Sequence, residues 1–113
     1  MRDAQLTILR GTLDVLVLRA VSWQPLHGFE ISLWLDEQSE GALEIDDSAL
    51  YQAVHRLEAK KLLQGTWGIS ENNRRARYYK LTPAGRTFLD GEGAKLVSYA
   101  RTITNLLTLT RSK

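Results

Sequence analysis

Four cationic side chains fall within seven residues, and no acid lies among them: Arg74, Arg75, Arg77 and Lys80. Like charges this close together repel one another until an anion arrives, and guanidinium groups pair especially well with phosphate oxygens. The segment therefore indicates a binding site for a polyanion. A solvated hairpin tip would have the same composition, so the segment needs support from its surroundings.

A second polar set recurs at helical spacing. Ser48, Tyr51 and His55 are three and four positions apart, which places them on one face of a helix. Gln52 and Arg56 extend that face. Such side chains can donate and accept hydrogen bonds at the edges of bases in the major groove of DNA. An ordinary exposed helix face is the alternative interpretation.

The sequence contains no recognisable set of catalytic residues. The chain has no cysteine, and its two histidines, His27 and His55, are far apart in sequence. We find no nucleophile elbow, phosphate loop or metal-spaced cluster. We therefore predict that the protein is not an enzyme and uses no cofactor or metal. His27 begins the second predicted helix, where it would either contact a phosphate or cap the helix.

The charge is unevenly distributed. The net charge of the 113 residues is +2, but residues 36–47 hold six acids and no base. The remaining residues carry 15 bases and seven acids, enough for a cationic face toward a polyanion. The acidic segment should lie away from that polyanion. Without a signal peptide or a long apolar run, the sequence predicts one soluble, cytoplasmic domain with no membrane partner.

Three helices are predicted over residues 6–21, 28–39 and 48–61, because apolar residues recur there at steps of three and four. A proline at position 25 ends the first helix, and the acids before residue 48 can cap the third. The predicted inward-facing residues are Leu6, Leu9, Leu13, Leu16, Val17, Ala20, Phe29, Ile31, Trp34, Leu35, Leu50, Val54 and Leu57.

A β-hairpin is predicted next, with strands near residues 63–69 and 77–81 and a turn that includes Arg74 and Arg75. Alternation places Trp67 and Tyr79 toward the core and the bases on the other face. Tyr78 should be exposed.

The last helix is predicted to begin with Thr82 as N-cap and the following proline at its first position. Beyond its glycines, it carries a stripe of four apolar residues, Leu96, Tyr99, Ile103 and Leu106. The stripe would either fold back on its own chain or meet a second subunit. We favour the second subunit, because a helix at the chain end has little surface left within its own chain.

Three helices, a basic hairpin and a long helix are the order of a winged helix-turn-helix, a mainly α fold with a small β-hairpin (α+β). We place the winged helix-turn-helix domain at residues 1–82 and a dimerisation helix at 83–113. In such a fold the third helix enters the major groove. The hairpin, or wing, contacts the DNA backbone or the neighbouring minor groove.

Several segments carry a family resemblance: LHGFEI, SALYQAVHRLEAKKLL and WGISENNRRARYYKLTPAGR. Together, over residues 9–88, they resemble the PadR-like bacterial transcriptional regulators. The resemblance implies a homodimeric repressor that binds double-stranded DNA at a palindromic operator and dimerises through its C-terminal helix. It also implies release by a small aromatic ligand in some members. Trp23 and Trp34 either line a cavity between the subunits for such a ligand or are ordinary core residues.

Residue roles follow from the same resemblance. Ser48, Tyr51 and His55 match recognition-helix positions, and Arg74, Arg75, Arg77, Tyr78 and Tyr79 match the wing. Gln52 stands where proline is common, so the sequence preference should differ. Asn73 replaces a usual glycine, and Phe29 replaces a usual tyrosine. The alternative function is a winged helix that binds another protein and has no specific DNA site.

Overall fold

The computed structural model describes residues 6–7 and 10–111, with side chains described from residue 11. The described residues form four helices and a small antiparallel sheet, which give the predicted winged helix with a long C-terminal helix, so the predicted fold class is confirmed. In chain order the elements are β1 (Leu6–Thr7), α1 (Arg10–Ala20), β2 (Leu26–His27), α2 (Gly28–Gln38), β3 (Leu43–Glu44), α3 (Asp47–Ala59), β4 (Leu63–Ile69), β5 (Arg75–Leu81) and α4 (Pro83–Leu107).

Helix α1 is the centre of the core. Its Val17 and Leu18 are fully buried, and the helix contacts α2, α3 and α4. Each such side chain stabilises the fold by about 1.5–3 kcal/mol through the apolar surface it removes from water. The other elements supply the remaining buried residues, which include Ile31, Leu35, Leu50, Ala53, Val54, Leu57, Leu63, Tyr79 and Leu89.

The wing is the hairpin of β4 and β5, defined here as residues 63–81. Its register runs from Leu63 opposite Leu81 to Ile69 opposite Arg75. At the turn, the Ser70 N–H donates to the Arg74 carbonyl at 2.8 Å, and Asn73 takes a positive φ of 60°. Asparagine tolerates this conformation better than most residues, which explains how it can stand at a turn position that favours glycine.

Two local predictions are wrong. Residues 6–7 form β1 instead of starting the first helix, and Leu6 pairs in parallel with Leu43. Leu9 lies outside the described residues. The predicted connection at Leu26–His27 is a third strand, β2, which pairs with β5 opposite Tyr79 and Tyr78. Both strands are only two residues long and gain their hydrogen bonds from distant segments, so local periodicity carries no signal for them.

Two apolar side chains predicted to be buried are exposed. Phe29 is 72% exposed and Trp67 is 57% exposed. The predicted separation of aromatic and basic faces in the wing is also wrong: the register places Trp67 directly opposite Arg77, and Tyr79 opposite Gly65, on the same face. Only the base of that face, at Tyr79, reaches the core.

Helix α4 begins as predicted. The Thr82 hydroxyl accepts a hydrogen bond from the Gly85 N–H at 2.9 Å, and Pro83 is the first helical residue. Its first turns belong to the core through Gly85 and Leu89, whereas residues 97–107 are exposed throughout. The radius of gyration is 16.2 Å. A compact chain of this length would have roughly 13 Å, so α4 projects from the body. Among the described helices, none is sufficiently long and apolar to cross a bilayer.

Candidate nucleic-acid interface

Helix α3 presents the predicted polar face to solvent. Its apolar side, with Leu50, Val54 and Leu57, is buried in the core. The opposite side therefore projects outward, and four of the predicted contact residues on it are exposed, namely Ser48, Tyr51, Gln52 and His55. The rings of Tyr51 and His55 are 4.2 Å apart between centroids, so they form one aromatic, hydrogen-bonding surface along a single turn.

Both ends of α3 are defined by backbone contacts. Asp46 is the N-cap residue, as predicted, but its side chain makes no capping bond; its carbonyl accepts from the Leu50 N–H at 3.0 Å. At the other end Lys61 has a φ of 64°, and the Leu62 N–H returns to the Leu57 carbonyl at 3.0 Å. This closing turn ends the helix at Ala59, before the predicted residue 61.

Arg56 has a partner within the chain. Its guanidinium donates to the two carboxylate oxygens of Asp14 on α1, at 2.5 and 3.3 Å. Hydrogen bonding to Asp14 raises the pKa of Arg56, so the guanidinium stays charged. The bidentate pair joins α3 to α1. The predicted DNA contact of Arg56 stays a prediction, with the guanidinium already occupied in the free protein.

His27 caps α2. Its Nδ1 accepts from the Glu30 N–H at 3.3 Å, while the Glu30 carboxylate accepts from the His27 N–H at 3.0 Å. These reciprocal bonds form a capping box, one of the two roles predicted for His27. The His27 ring also meets Tyr78 edge-on, with centroids 5.2 Å apart, which leaves Tyr78 half-buried instead of exposed.

The cations of the wing differ in their surroundings. Arg74 is exposed at the turn. Arg75, predicted to lie in the turn, is the first residue of β5, and its guanidinium lies 4.4 Å from the centre of the Trp67 ring. Arg77 is paired with Glu58 near the end of α3. Among the described residues, Arg74 and Arg75 are therefore the wing arginines without a carboxylate partner.

Tyr79 supports the base of the wing. It is buried as predicted, and desolvation raises the pKa of its phenol, so the ring is neutral at physiological pH. Its burial against the core fixes one end of the hairpin. The outer end of the wing therefore extends from a base that is packed into the core.

Trp67, Glu58 and Asp14 are contributors that sequence reasoning missed. Alternation with Tyr79 predicts Trp67 in the core, but the same alternation also places Trp67 on one face with Arg75 and Arg77. The two carboxylates carry no recognisable signal, because Asp14 is 42 positions from its partner and Glu58 is 19 positions from its own.

A groove lies between α3, the start of α2 and the wing. It is lined in part by Phe29, Tyr51, His55, Trp67 and Arg75. Within the described residues, no cluster of three or more acids, histidines or cysteines is arranged to hold a metal ion. Hydrogen-bonding groups on a protruding helix, beside a cationic hairpin, define a winged-helix DNA-binding module.

Comparison with known proteins gives the same class. Residues 17–91 match the model of the transcriptional regulator PadR-like family. A PadR-like regulator from Bacillus cereus has the same fold, with a TM-score of 0.77 at 24% identity over 90% of this chain and 97% of that one. A PadR family regulator from Eggerthella lenta has a TM-score of 0.73 at 27% identity, covering 89% of this chain and 86% of that one.

A sequence relative from Lysinibacillus sphaericus is 29% identical over 82 residues, 73% of this chain and 75% of that protein. The family match spans most of the chain, from within α1 to within α4. The chain belongs to the PadR-like family of transcriptional regulators. It is therefore a DNA-binding regulator of transcription and not an enzyme.

Proposed function

We propose that the protein is a homodimeric repressor that binds a palindromic operator near its own gene. The observation that carries this proposal is the shared groove, onto which the exposed face of α3 and the unpaired cations of the wing both open. In the proposed complex Tyr51, Gln52 and His55 contact base edges. Arg74 and Arg75 contact phosphates.

The other residues predicted to contact DNA have secondary roles in this proposal. Ser48 lies at the start of α3, where its hydroxyl and the helix N-terminus can bind a phosphate. His27 and Tyr78 contact each other beside the groove, within reach of the same strand of DNA. Arg56 and Arg77 have carboxylate partners in the chain, so we assign the main phosphate contacts to Arg74 and Arg75.

Dimerisation through α4 is supported by its unpartnered apolar stripe. Tyr99 and Leu106 are 63% and 64% exposed, and Leu96 and Ile103 complete the same face. A soluble monomer rarely leaves a contiguous apolar patch of this kind in water. A two-fold axis at the α4 contact would present the two α3 helices to one face of the duplex. If the half-sites are one turn of DNA apart, the two α3 helices lie about 34 Å apart.

Release by a flat aromatic ligand is the regulatory part of the proposal. Trp23 is 63% exposed, its ring lies 5.7 Å from that of Trp34, and the Arg19 guanidinium covers it at 4.2 Å. An exposed indole beside a second indole offers a stacking surface for an aromatic molecule. As a regulator of transcription, the protein would act in the cytoplasm, where bacterial DNA is located.

The test is the affinity of the protein for duplex DNA from upstream of its own gene, measured by fluorescence anisotropy at several salt concentrations. We expect affinity to fall steeply with salt. The double variant Arg74→Ala/Arg75→Ala should weaken binding to all duplexes alike and lower the slope of log affinity against log salt by about two units. The reason is the loss of two phosphate contacts.

Gln52→Ala is the matched control, because it removes a side chain from the same interface without changing charge. It should leave the salt slope unchanged and alter the ratio between operator and scrambled duplex affinity. Absent or salt-insensitive binding by the wild type would contradict the proposal. Full DNA affinity in the double arginine variant would instead favour a wing that binds another protein.

A further inference from the structure

We propose that Arg77 and Glu58 are positioning residues that hold the wing at a fixed angle to α3, and that Arg77 is not a phosphate contact. The inference rests on the proposed DNA-binding function and deepens it. Arg77 donates a hydrogen bond to the Glu58 carboxylate, and both side chains are largely shielded from solvent, at 32% and 25% exposed. The pair joins the outer half of β5 to the last turn of α3.

The wing needs such a brace because apolar packing holds it only at its base. Leu63 and Tyr79 are buried there, whereas Trp67 and Ile69 farther along are 57% and 65% exposed. Residues 66–76 contain no buried side chain. The angle of this outer part relative to α3 therefore depends on polar contacts, and Arg77 provides the ion pair with the helix.

Gly65 leaves the space in which the Arg77 side chain lies. A β-carbon at position 65 would come within 2.6 Å of Arg77 Nε and 2.8 Å of its Cζ. The guanidinium therefore crosses the strand directly over the glycine on its way to Glu58. The Arg77 side chain thus lies against the backbone of the opposite strand, in space that a larger residue at position 65 would occupy.

The brace continues toward the tip through Trp67. The Trp67 ring centre is 5.6 Å from Arg77 Cζ and 4.4 Å from Arg75 Cζ. Glu58, Arg77, Trp67 and Arg75 thus form a connected row from the recognition helix to the DNA-contacting end of the wing. Fixing Arg77 on Glu58 orders the indole, and the indole in turn orders Arg75.

The pair also removes an electrostatic obstacle. Glu58 lines the groove that faces the DNA, and an unpaired carboxylate there would repel phosphates. Arg77 neutralises the Glu58 carboxylate, and the pair as a whole carries no net charge. Hydrogen bonding to Glu58 also raises the pKa of Arg77, which keeps the guanidinium charged.

The experiment compares Arg77→Glu with the charge-swapped double variant Arg77→Glu/Glu58→Arg. Two quantities are measured: amide hydrogen exchange of residues 66–76 in the free protein, and affinity for upstream duplex DNA. We expect Arg77→Glu to speed exchange in the wing and weaken DNA binding about tenfold or more, while the swap restores both to near wild type. Hydrogen exchange distinguishes the brace from a phosphate contact, because it is measured in the free protein and a lost phosphate contact would not change it.

The outcomes separate this inference from the proposed function. Restored exchange and restored affinity support both. Restored exchange in a protein whose wild type binds no DNA would refute the proposed function and leave the brace supported. Unchanged exchange in Arg77→Glu, or lost affinity that the swap does not recover, would overturn the brace. Arg75→Glu is the control, since its loss of affinity should not be recovered by Glu58→Arg.

Discussion

Replacing Ile103 and Leu106 with aspartate is expected to convert the proposed dimer into a monomer and to weaken operator binding about 100-fold or more. These residues belong to an apolar stripe that the single chain leaves in water, with Leu106 64% exposed. Two buried carboxylates would oppose association, and a monomer would engage only one half-site at a time. Sedimentation would give the mass, and anisotropy the affinity.

Two exposed positions on the opposite side of α4 provide the matched control. Ala94→Asp/Asn105→Asp adds the same charge to the same helix, away from the stripe. That variant should stay dimeric and keep most of its affinity. A monomeric wild type, or a dimer that persists with aspartate at positions 103 and 106, would contradict the assignment of the interface.

Gly85→Ala is expected to destabilise the fold by about 3 kcal/mol or more. A β-carbon there would overlap the backbone carbonyl of Leu62 and come within 2.8 Å of Leu81 Cδ1. That carbonyl accepts the Thr82 N–H at 3.2 Å, so moving it would break the junction between α3, the wing and α4. Chemical denaturation with a circular-dichroism readout would measure the free energy of unfolding.

Gly91→Ala is the control for the glycine substitution. Gly91 lies in the same helix, and among the described residues no atom outside its own stretch of helix lies within 4 Å of the position that a β-carbon would take. Because alanine has the higher helix propensity, this variant should be more stable than the wild type by roughly 0.5–1 kcal/mol. Equal effects of the two substitutions would show that the contact with Leu62 does not decide the outcome at position 85.

The sequence predicted those parts of the fold that local patterns encode. The steps between Leu50, Val54 and Leu57 define the inner side of α3 and therefore its exposed side. Thr82 and Pro83 start α4 because a hydroxyl cap and a ring-fixed φ favour a helix wherever they occur. The hairpin could also be predicted from the sequence, since alternation and an asparagine turn are short-range signals.

Contacts between segments that are distant in sequence could not be predicted from local patterns. The pairing of Leu26–His27 with β5, and of Arg56 with Asp14, depends on segments that meet only after folding. Trp67 was misplaced for a related reason: alternation predicts which residues share a face, but not how far along the strand the core extends. The sequence therefore predicted which residues form the candidate site. The structure was needed to show that Asp14 and Glu58 pair with two of its arginines.

The proposed function depends on joint binding of duplex DNA by the exposed face of α3 and the tip of the wing. Its most direct test is a ¹⁵N NMR titration of the full chain with a short duplex from the upstream region. Amide shifts should change at residues 48–55 and 70–75, remain unchanged at residues 36–44 of the acidic segment, and revert as salt is added. Shifts confined to the acidic segment or to α4, or no shifts at either α3 or the wing, would contradict the account.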